Sequence, residues 1–198
     1  MNILQLNTSI RGNDSQSSRL AKIIVERLTA VNPAASLTIR DLASNPQPML
    51  DADALEALST PAEQRTQIQA ARVALDDALI TQIQATDILM LAVPMYNFGI
   101  PVQLKNWIDA ICRAQVTFRY TEQGPQGLLT GKKVYIALTR GGVHRDSASD
   151  SQASYLQTVL GFLGLTDLNF IYAEGLAMGE GAAEEAFTQA ETDIAALA

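Results

Sequence analysis

The chain has 198 residues, 47% of them hydrophobic, and a formal net charge of −7 at pH 7. This length fits one domain over residues 1–198, and the acidic charge argues against nucleic acid or an anionic membrane surface as a partner. No apolar run approaches the ~20 residues that a membrane helix needs, and the first residues form no basic or long apolar leader. We therefore predict a cytoplasmic protein.

Cysteine and histidine each occur once, as Cys112 and His144. A single cysteine excludes an internal disulfide and a thiolate metal cage, and histidine is not paired with an acidic residue at i, i+4 spacing. We therefore predict no bound metal. Cys112 follows Ile108 by one helical turn, which favours a buried structural role over a catalytic one.

The chain opens with the pattern of a βαβ unit. A short apolar stretch, residues 3–6, predicts a first strand, and residues 36–40 alternate as a second one. Between them, apolar residues recur at i, i+3, i+4 spacing from Leu20 to Val31 and predict a helix.

The segment before that helix, residues 7–18, is rich in hydroxyl side chains, and we call it the hydroxyl loop. A helix N-terminus receives anions, so this loop fits a phosphate monoester. It lacks a Walker pattern, which argues against a nucleoside triphosphate with Mg²⁺. The alternative is that Ser15 caps the helix and the other serines are surface residues. The candidate phosphate ligands are Ser9, Ser15, Gln16 and Ser17.

A proline-containing loop, residues 45–48, departs from a minimal βαβ unit. Thr60 and Glu63 have the spacing of a capping box, with Pro61 at the first helical position, and predict the start of a helix that continues to Ile83. The apolar run at residues 87–93 then predicts a strand buried on both faces, which is typical of a parallel sheet.

Prolines and a glycine break that strand, and Pro101 can occupy the first position of a helix that continues to Arg113. The intervening segment, which we call the aromatic turn, offers flat apolar surface, an amide and main-chain donors beyond the carboxyl end of a strand. This combination suits a planar, hydrogen-bonding cofactor. The alternative is an ordinary strand-to-helix turn whose rings cap the core. The aromatic turn consists of Met95, Tyr96, Asn97 and Phe98.

The second half of the chain continues the alternation of strands and helices. Residues 116–120 predict a hairpin or a structured loop. The glycine loop, residues 139–144, follows a predicted fourth strand, and its paired glycines allow the backbone to approach a flat ligand closely. The remaining elements are the fourth strand at residues 134–138, a helix at 151–164, a fifth strand at 168–172 and a closing helix at 182–197.

This alternation predicts a doubly wound α/β fold, a five-stranded parallel sheet with helices on both faces. In a flavodoxin-like strand order, 2-1-3-4-5, the first and third strands flank the switch point and the fourth lies beside the third. The hydroxyl loop, the aromatic turn and the glycine loop would then line one crevice.

At these segments the sequence resembles the FMN-dependent NADH azoreductases, part of the flavodoxin-like quinone reductase superfamily. The resemblance implies bound FMN, NADH or NADPH as reductant, and ping-pong reduction of quinones and azo compounds. It also implies a homodimer with active sites at the interface. The matching motifs lie at residues 94–98, 104–106, 116–120, 140–142 and 160–162.

The resemblance also assigns roles to individual residues. The four candidate phosphate ligands hold the phosphate and ribityl end of FMN, and the aromatic turn cradles the isoalloxazine ring. His144 is a candidate to donate to the reduced flavin or to the acceptor. The glycine-loop residues assigned to the cofactor are Thr139, Arg140, Gly141 and Gly142, with Thr139 at a position where serine is expected. The residues assigned to the substrate pocket are Tyr120 and Phe162.

Two other functions are compatible with parts of the pattern. The acidic composition would suit a flavodoxin-type electron carrier, but the extra segment at residues 42–60 and the excursion at 118–127 provide material for a pocket that a carrier does not need. A flavin-free α/β domain would require all three loops to be accidental.

Overall fold

In the computed structural model, residues 1–196 are described, and their centre is a five-stranded parallel sheet. The sheet strands are β1 (Asn2–Asn7), β2 (Ser36–Asp41), β3 (Ile88–Pro94), β6 (Lys133–Thr139) and β7 (Asp167–Ala173). Two further strands, β4 (Phe118–Thr121) and β5 (Gly124–Gly127), form an antiparallel hairpin. The helices are α1 (Gln16–Val31), α2 (Ala52–Ser59), α3 (Gln67–Gln84), α4 (Val102–Ile111), α5 (Ser151–Phe162) and α6 (Ala182–Ala195).

The strand order is β2-β1-β3-β6-β7, which confirms the predicted order of the five parallel strands. The register sets the carboxyl ends of three neighbouring strands level with one another, because Pro94 lies opposite Thr139 and Thr139 opposite Ala173. The segments that follow these strands therefore begin at the same edge of the sheet.

Strand β3 explains why helices cover both faces. All seven of its residues are buried, and alternate side chains belong to different clusters. Leu89 and Leu91 pack in the cluster that includes side chains from α3, α4 and α5, whereas Met90 and Ala92 pack with α1 and α6. A strand with apolar residues on both faces needs this double cover, as predicted for a parallel sheet.

The predicted capping box at Thr60 and Glu63 is wrong. Thr60 instead ends α2, with its hydroxyl donating to the carbonyl of Glu56 (2.8 Å), and α3 begins after Thr66. The capping box is formed by Thr66 and Gln69, each of which accepts the main-chain N–H of the other. The prediction also missed α2, whose first turn is capped by the carboxylate of Asp51.

The predicted bounds of two other helices need correction. Pro101 is the N-cap of α4 and not its first helical residue. The helix ends at Ile111, before the predicted Arg113, because the Thr117 hydroxyl donates to the Ile111 carbonyl (2.6 Å) and accepts from the Arg113 N–H (2.9 Å). Helix α5 ends at Phe162, two residues before the predicted end at Gly164, whose backbone is left-handed (φ 93°). Leu197, predicted to end the closing helix, lies outside the described residues.

The hairpin β4–β5 confirms the predicted excursion after the third sheet strand. None of the helices within residues 1–196 is both long and apolar enough to cross a membrane. The same residues contain no group of three or more His, Cys, Asp or Glu side chains placed to hold a metal ion.

Cys112 caps α4 and packs against the core beside it. Burial, and secondarily the carboxylate of Asp109, raises the pKa of the Cys112 thiol to about 11, so thiolate is scarce at neutral pH. We expect the native thiol to react with a disulfide reagent at pH 7 at least roughly 100-fold more slowly than free cysteine. The reaction can be followed by absorbance. Fast labelling of the native protein, equal to that of the chain in denaturant, would contradict the buried structural role.

Candidate functional site

The three predicted loops meet in one crevice at the carboxyl edge of the sheet, with a volume of about 380 Å³. This volume lies within the usual range for small-molecule sites. The predicted residues that line the crevice are Ser9, Gln16, Met95, Tyr96, Thr139, Arg140 and Gly141. The convergence expected from the strand order is therefore present.

The crevice also has lining residues that the sequence analysis missed. Leu176 and Ala177 follow β7, Ala183 belongs to α6, and Arg11 lies within the hydroxyl loop. The missed signal was the neighbouring strand: β7 ends level with β6, so its following loop had to reach the same edge. Arg11 supplies the site with a cation, which suits an anionic ligand.

In the hydroxyl loop, Ser15 caps α1, and its Oγ accepts from the N–H of Ser18 (3.1 Å). Capping is only part of its environment, because Ser17 Oγ lies 3.1 Å from Ser15 Oγ and both side chains are buried. The main-chain N–H groups of Gln16 and Ser17 belong to the first helical turn, where donors have no partner within the helix. The loop therefore gathers hydroxyl and N–H groups at the positive end of the helix dipole.

The aromatic turn is a tight two-residue turn. Tyr96 and Gly99 exchange main-chain hydrogen bonds (3.0 and 2.9 Å), and between them Asn97 (φ 48°) and Phe98 (φ 66°) both have left-handed backbone conformations. Such conformations cost on the order of 1–3 kcal/mol each and persist only where the surroundings hold them. The Tyr96 hydroxyl lies 3.0 Å from Ser9 Oγ and so connects this turn to the hydroxyl loop.

Two side chains of the aromatic turn line the crevice and two do not. Met95 and Tyr96 line the crevice. Asn97 and Phe98 lie beyond its lining, and the Phe98 side chain is 59% exposed. Phe98 is therefore a rim residue in the single chain.

The glycine loop is fixed by the segment after β7. The carbonyls of Gly141 and Gly142 accept from the N–H groups of Ala177 and Gly175, each at 3.0 Å. A Cβ added at Gly142 would lie 3.0 Å from His144 Nε2, so the histidine ring covers this glycine closely. An alanine at Gly142 would therefore require the histidine ring to shift by a few tenths of an ångström. Gly141 lines the crevice with main chain only.

Arg140 lines the crevice, and its side chain is held by buried ion pairs. It is fully buried and pairs with Asp150 (2.6 Å) and Glu174 (2.9 Å). Only the main chain of Arg140 can therefore contact a ligand in the crevice.

His144 joins the glycine loop to the aromatic turn. Its Nδ1 lies 2.8 Å from Ser149 Oγ, and its ring meets the Phe98 ring edge to face at a centroid distance of 5.7 Å. It does not line the crevice of the single chain. The ring stands at the rim, where the hydroxyl of Ser149 fixes its orientation.

The two predicted substrate-pocket residues, Tyr120 and Phe162, form a separate aromatic cluster around Phe118. Ring centroids are 4.5 Å apart for Phe118 and Phe162, and 5.7 Å apart for Phe118 and Tyr120. Neither predicted residue lines the crevice, and Tyr120 is 70% exposed. The structure therefore does not bring these two residues to the crevice.

A larger groove of about 640 Å³ lies on the other side of the hydroxyl loop, between α1 and β2. It is lined by Ser9 and Ser15 of the hydroxyl loop and by Leu37 and Ile39 of the edge strand, whereas residues of the aromatic turn and the glycine loop do not line it. The smaller crevice is the better candidate because all three loops contribute to it.

Comparison with known proteins agrees with this geometry. The family described as having a flavodoxin-like fold matches residues 1–198. The chain belongs to this flavodoxin-like family. Two relatives, from Aromatoleum aromaticum and Dechloromonas aromatica, are each 62% identical, with 100% of this chain covered and 100% and 99% of theirs. Both are named FMN-dependent NADH:quinone oxidoreductase.

Solved structures of the flavodoxin-like family give the same result. An azoreductase from Bacillus anthracis is 25% identical and superposes with a TM-score of 0.90, with 100% of this chain and 98% of that one covered. The two proteins therefore share the fold over almost the whole length of both chains.

Proposed function

We propose that this protein is an FMN-dependent oxidoreductase that uses NADH to reduce quinones and azo compounds. One observation carries the proposal: Ser9, Arg11 and Gln16 of the hydroxyl loop, at the N-terminus of α1, line the same crevice as the aromatic turn and the glycine loop. The names of the full-length relatives and of the structural neighbour support it.

The residues present fit FMN. Ser9, Gln16 and Arg11, which line the crevice at the N-terminus of α1, suit a terminal phosphate. Ser15, which lines the larger groove, and Ser17 have buried hydroxyls in contact with each other at the same helix terminus. The crevice between the Met95–Tyr96 side and the Thr139–Gly141 side suits a flat ring. When bound, FMN supplies the redox chemistry, accepting a hydride from NADH and passing two electrons to the acceptor.

The chain itself supplies position and electrostatics. The segment after β7 holds the carbonyls of Gly141 and Gly142, which fixes the direction of the main chain at the crevice. The Tyr96–Ser9 contact ties the ring side of the crevice to its phosphate side. A bound cofactor would therefore meet donors arranged before it arrives, which is how preorganised sites lower barriers.

The first experiment is to purify the protein, extract its flavin and assay NADH oxidation with a quinone. We expect FMN, since the hydroxyl loop is a terminal-phosphate site, and quinone-dependent turnover. Extraction of FAD would overturn the choice of cofactor. A yellow protein that NADH does not bleach would instead indicate an electron carrier, and a colourless one that takes up no flavin would indicate a flavin-free domain.

His144 is proposed as the donor to the reduced flavin or to the acceptor. Its place at the rim, against Phe98 and oriented by Ser149, supports that role. We expect His144→Ala to lower kcat by about 10²-fold or more, a typical effect of losing a positioned proton donor, and to alter the pH profile. Steady-state assays between pH 5 and 9 test this. Ser149→Ala is the comparison, because it keeps the imidazole ring and removes the hydroxyl that orients it. Unchanged His144→Ala turnover across that range would remove the residue from the mechanism.

The active form is proposed to be a homodimer in the cytoplasm, with Tyr120 and Phe162 of each chain lining the site of the other. The separate aromatic cluster supports this, because its exposed Tyr120 is free to meet a second chain. A two-fold pairing would create two equivalent sites. A lone, partly buried Cys112 suits a reducing compartment.

We expect sedimentation to show a dimer at assay concentrations. Phe162→Ala should raise the KM for quinone several-fold, since a stacking surface worth about 1 kcal/mol is lost, while FMN affinity is retained. Both can be measured on the same preparation. A stable monomer with full turnover would contradict the shared site.

A further inference from the structure

The first two residues of α5 hold the aromatic turn by its carbonyl groups. Gln152 Nε2 donates to the carbonyls of Pro94 (2.9 Å) and Gly99 (3.1 Å), and the Ser151 hydroxyl donates to the carbonyl of Phe98. Gln152 is 1% exposed, so its two bonds are buried or part-buried, whereas the Ser151 bond is exposed. The turn is thus fixed at both ends from one helix terminus.

This support matters because the turn has an intrinsically unfavourable backbone. Asn97 and Phe98 are consecutive non-glycine residues with positive φ. Such a pair needs outside contacts to keep its conformation. The Gly99 carbonyl, which also accepts the Tyr96 N–H that closes the turn, receives one of those contacts from Gln152.

The side-chain oxygen of Gln152 is connected by hydrogen bonds to the glycine loop. Its Oε1 accepts from Arg140 Nε (3.2 Å), and Arg140 Nη1 donates to Glu174 Oε1 (2.9 Å). The same Glu174 oxygen accepts the main-chain N–H groups of His144 (2.8 Å) and Arg145 (3.0 Å). A continuous set of hydrogen bonds, buried or part-buried from Gln152 to His144, therefore connects the aromatic turn to the glycine loop.

The Met95 N–H donates to the Thr139 carbonyl (3.0 Å), which fixes the base of the aromatic turn beside the glycine loop. We propose that Gln152 is a positioning residue that holds the rest of this turn in place beside the glycine loop, and with it the shape of the slot for the isoalloxazine ring. This inference rests on the proposed function, since it concerns the same site. Gln152 itself does not line the crevice and acts through Pro94, Gly99 and Arg140.

The chemistry of the amide provides a selective test. Gln152→Glu keeps an acceptor for Arg140 but cannot donate to the Pro94 and Gly99 carbonyls, because an ionised carboxylate only accepts. Gln152→Met has a similar length and loses both sets of bonds. Gln157→Glu introduces the same charge at an exposed position of the same helix and is the matched control.

The variants are compared by their dissociation constants for FMN, for lumiflavin, which is the ring without ribityl phosphate, and for inorganic phosphate. We expect Gln152→Glu to weaken FMN and lumiflavin by the same factor, about tenfold or more, as loss of buried hydrogen bonds implies. Phosphate affinity should stay unchanged, and the visible circular dichroism of bound FMN should change. Gln152→Met should do the same with a lower Tm, and Gln157→Glu should match the wild type.

Several results would overturn this proposal. One is a Gln152→Glu protein that binds lumiflavin within twofold of the wild type with unchanged dichroism. Another is an equal loss of phosphate affinity, which would show general unfolding of the site. If Gln152→Glu fails to fold, Gln152→Met carries the same comparison. A wild-type protein that binds no FMN would refute the proposed function. The positioning proposal alone fails if the wild type binds FMN and the Gln152 variants bind it equally well.

Discussion

Replacing Arg140 with methionine should lower the free energy of unfolding by about 3–5 kcal/mol, the usual effect of removing one partner from buried ion pairs. The Arg140 side chain is 0% exposed, and Asp150 and Glu174 are 8% and 11% exposed. Without the guanidinium, both carboxylates would lose their cation while remaining largely shielded from solvent. Urea denaturation of the purified variant measures the change.

Arg145 provides the matched control for that experiment. Its side chain is 52% exposed, and its partner carboxylate, Asp146, is 3.8 Å away and 92% exposed. Arg145→Met should therefore cost less than about 1 kcal/mol, as exposed ion pairs do. An Arg140→Met protein as stable as Arg145→Met would show that the buried network contributes little to the fold.

The second large effect is expected at Gly127, where the hairpin β4–β5 meets the end of α5. A Cβ added there would overlap the N atom of Gly164 and the carbonyl carbon of Leu163. Both are main-chain atoms, so the hairpin has to move. We expect Gly127→Ala to cost about 3 kcal/mol, at the upper end of the range for overpacking. The Phe118–Phe162 contact should loosen with it, and the KM for quinone should rise.

Gly161 lies near the end of the same helix and is the control. A Cβ added there meets no atom within 4 Å, and the position is helical. Gly161→Ala should therefore raise the unfolding free energy by up to about 1 kcal/mol, through helix propensity alone. Thermal melting of the two variants compares them directly. Equal melting temperatures would contradict the close packing of Gly127 on Gly164.

Sequence patterns predicted the fold because its central strand, β3, has an uninterrupted apolar sequence. A run such as Leu89 to Val93, apolar on both faces, has few placements other than the centre of a parallel sheet. The same reasoning failed at Thr60, where spacing alone suggested a capping box. Six residues further on, Thr66 and Gln69 have the same spacing, and the local hydrogen bonds decide between the two pairs.

Within the site, the sequence predicted which loops converge but not how each side chain is used. Arg140 lies within a matching motif, yet its partners Asp150 and Glu174 are 10 and 34 residues away along the chain. Gln152 offered no signal at all, because its role depends on three carbonyl or guanidinium groups from two other segments. Contacts of this kind become visible only when the strands are placed in register.

The central claim is that one crevice binds FMN and lets NADH and an electron acceptor use it in turn. The most direct measurement is an anaerobic titration of the FMN-loaded protein, followed by its visible flavin absorption. We predict that one equivalent of NADH bleaches the flavin without acceptor present, and that a quinone added afterwards restores the colour in one two-electron step. A flavin that stays oxidised until NADH and quinone are present together, or that NADH never reduces, would contradict the account.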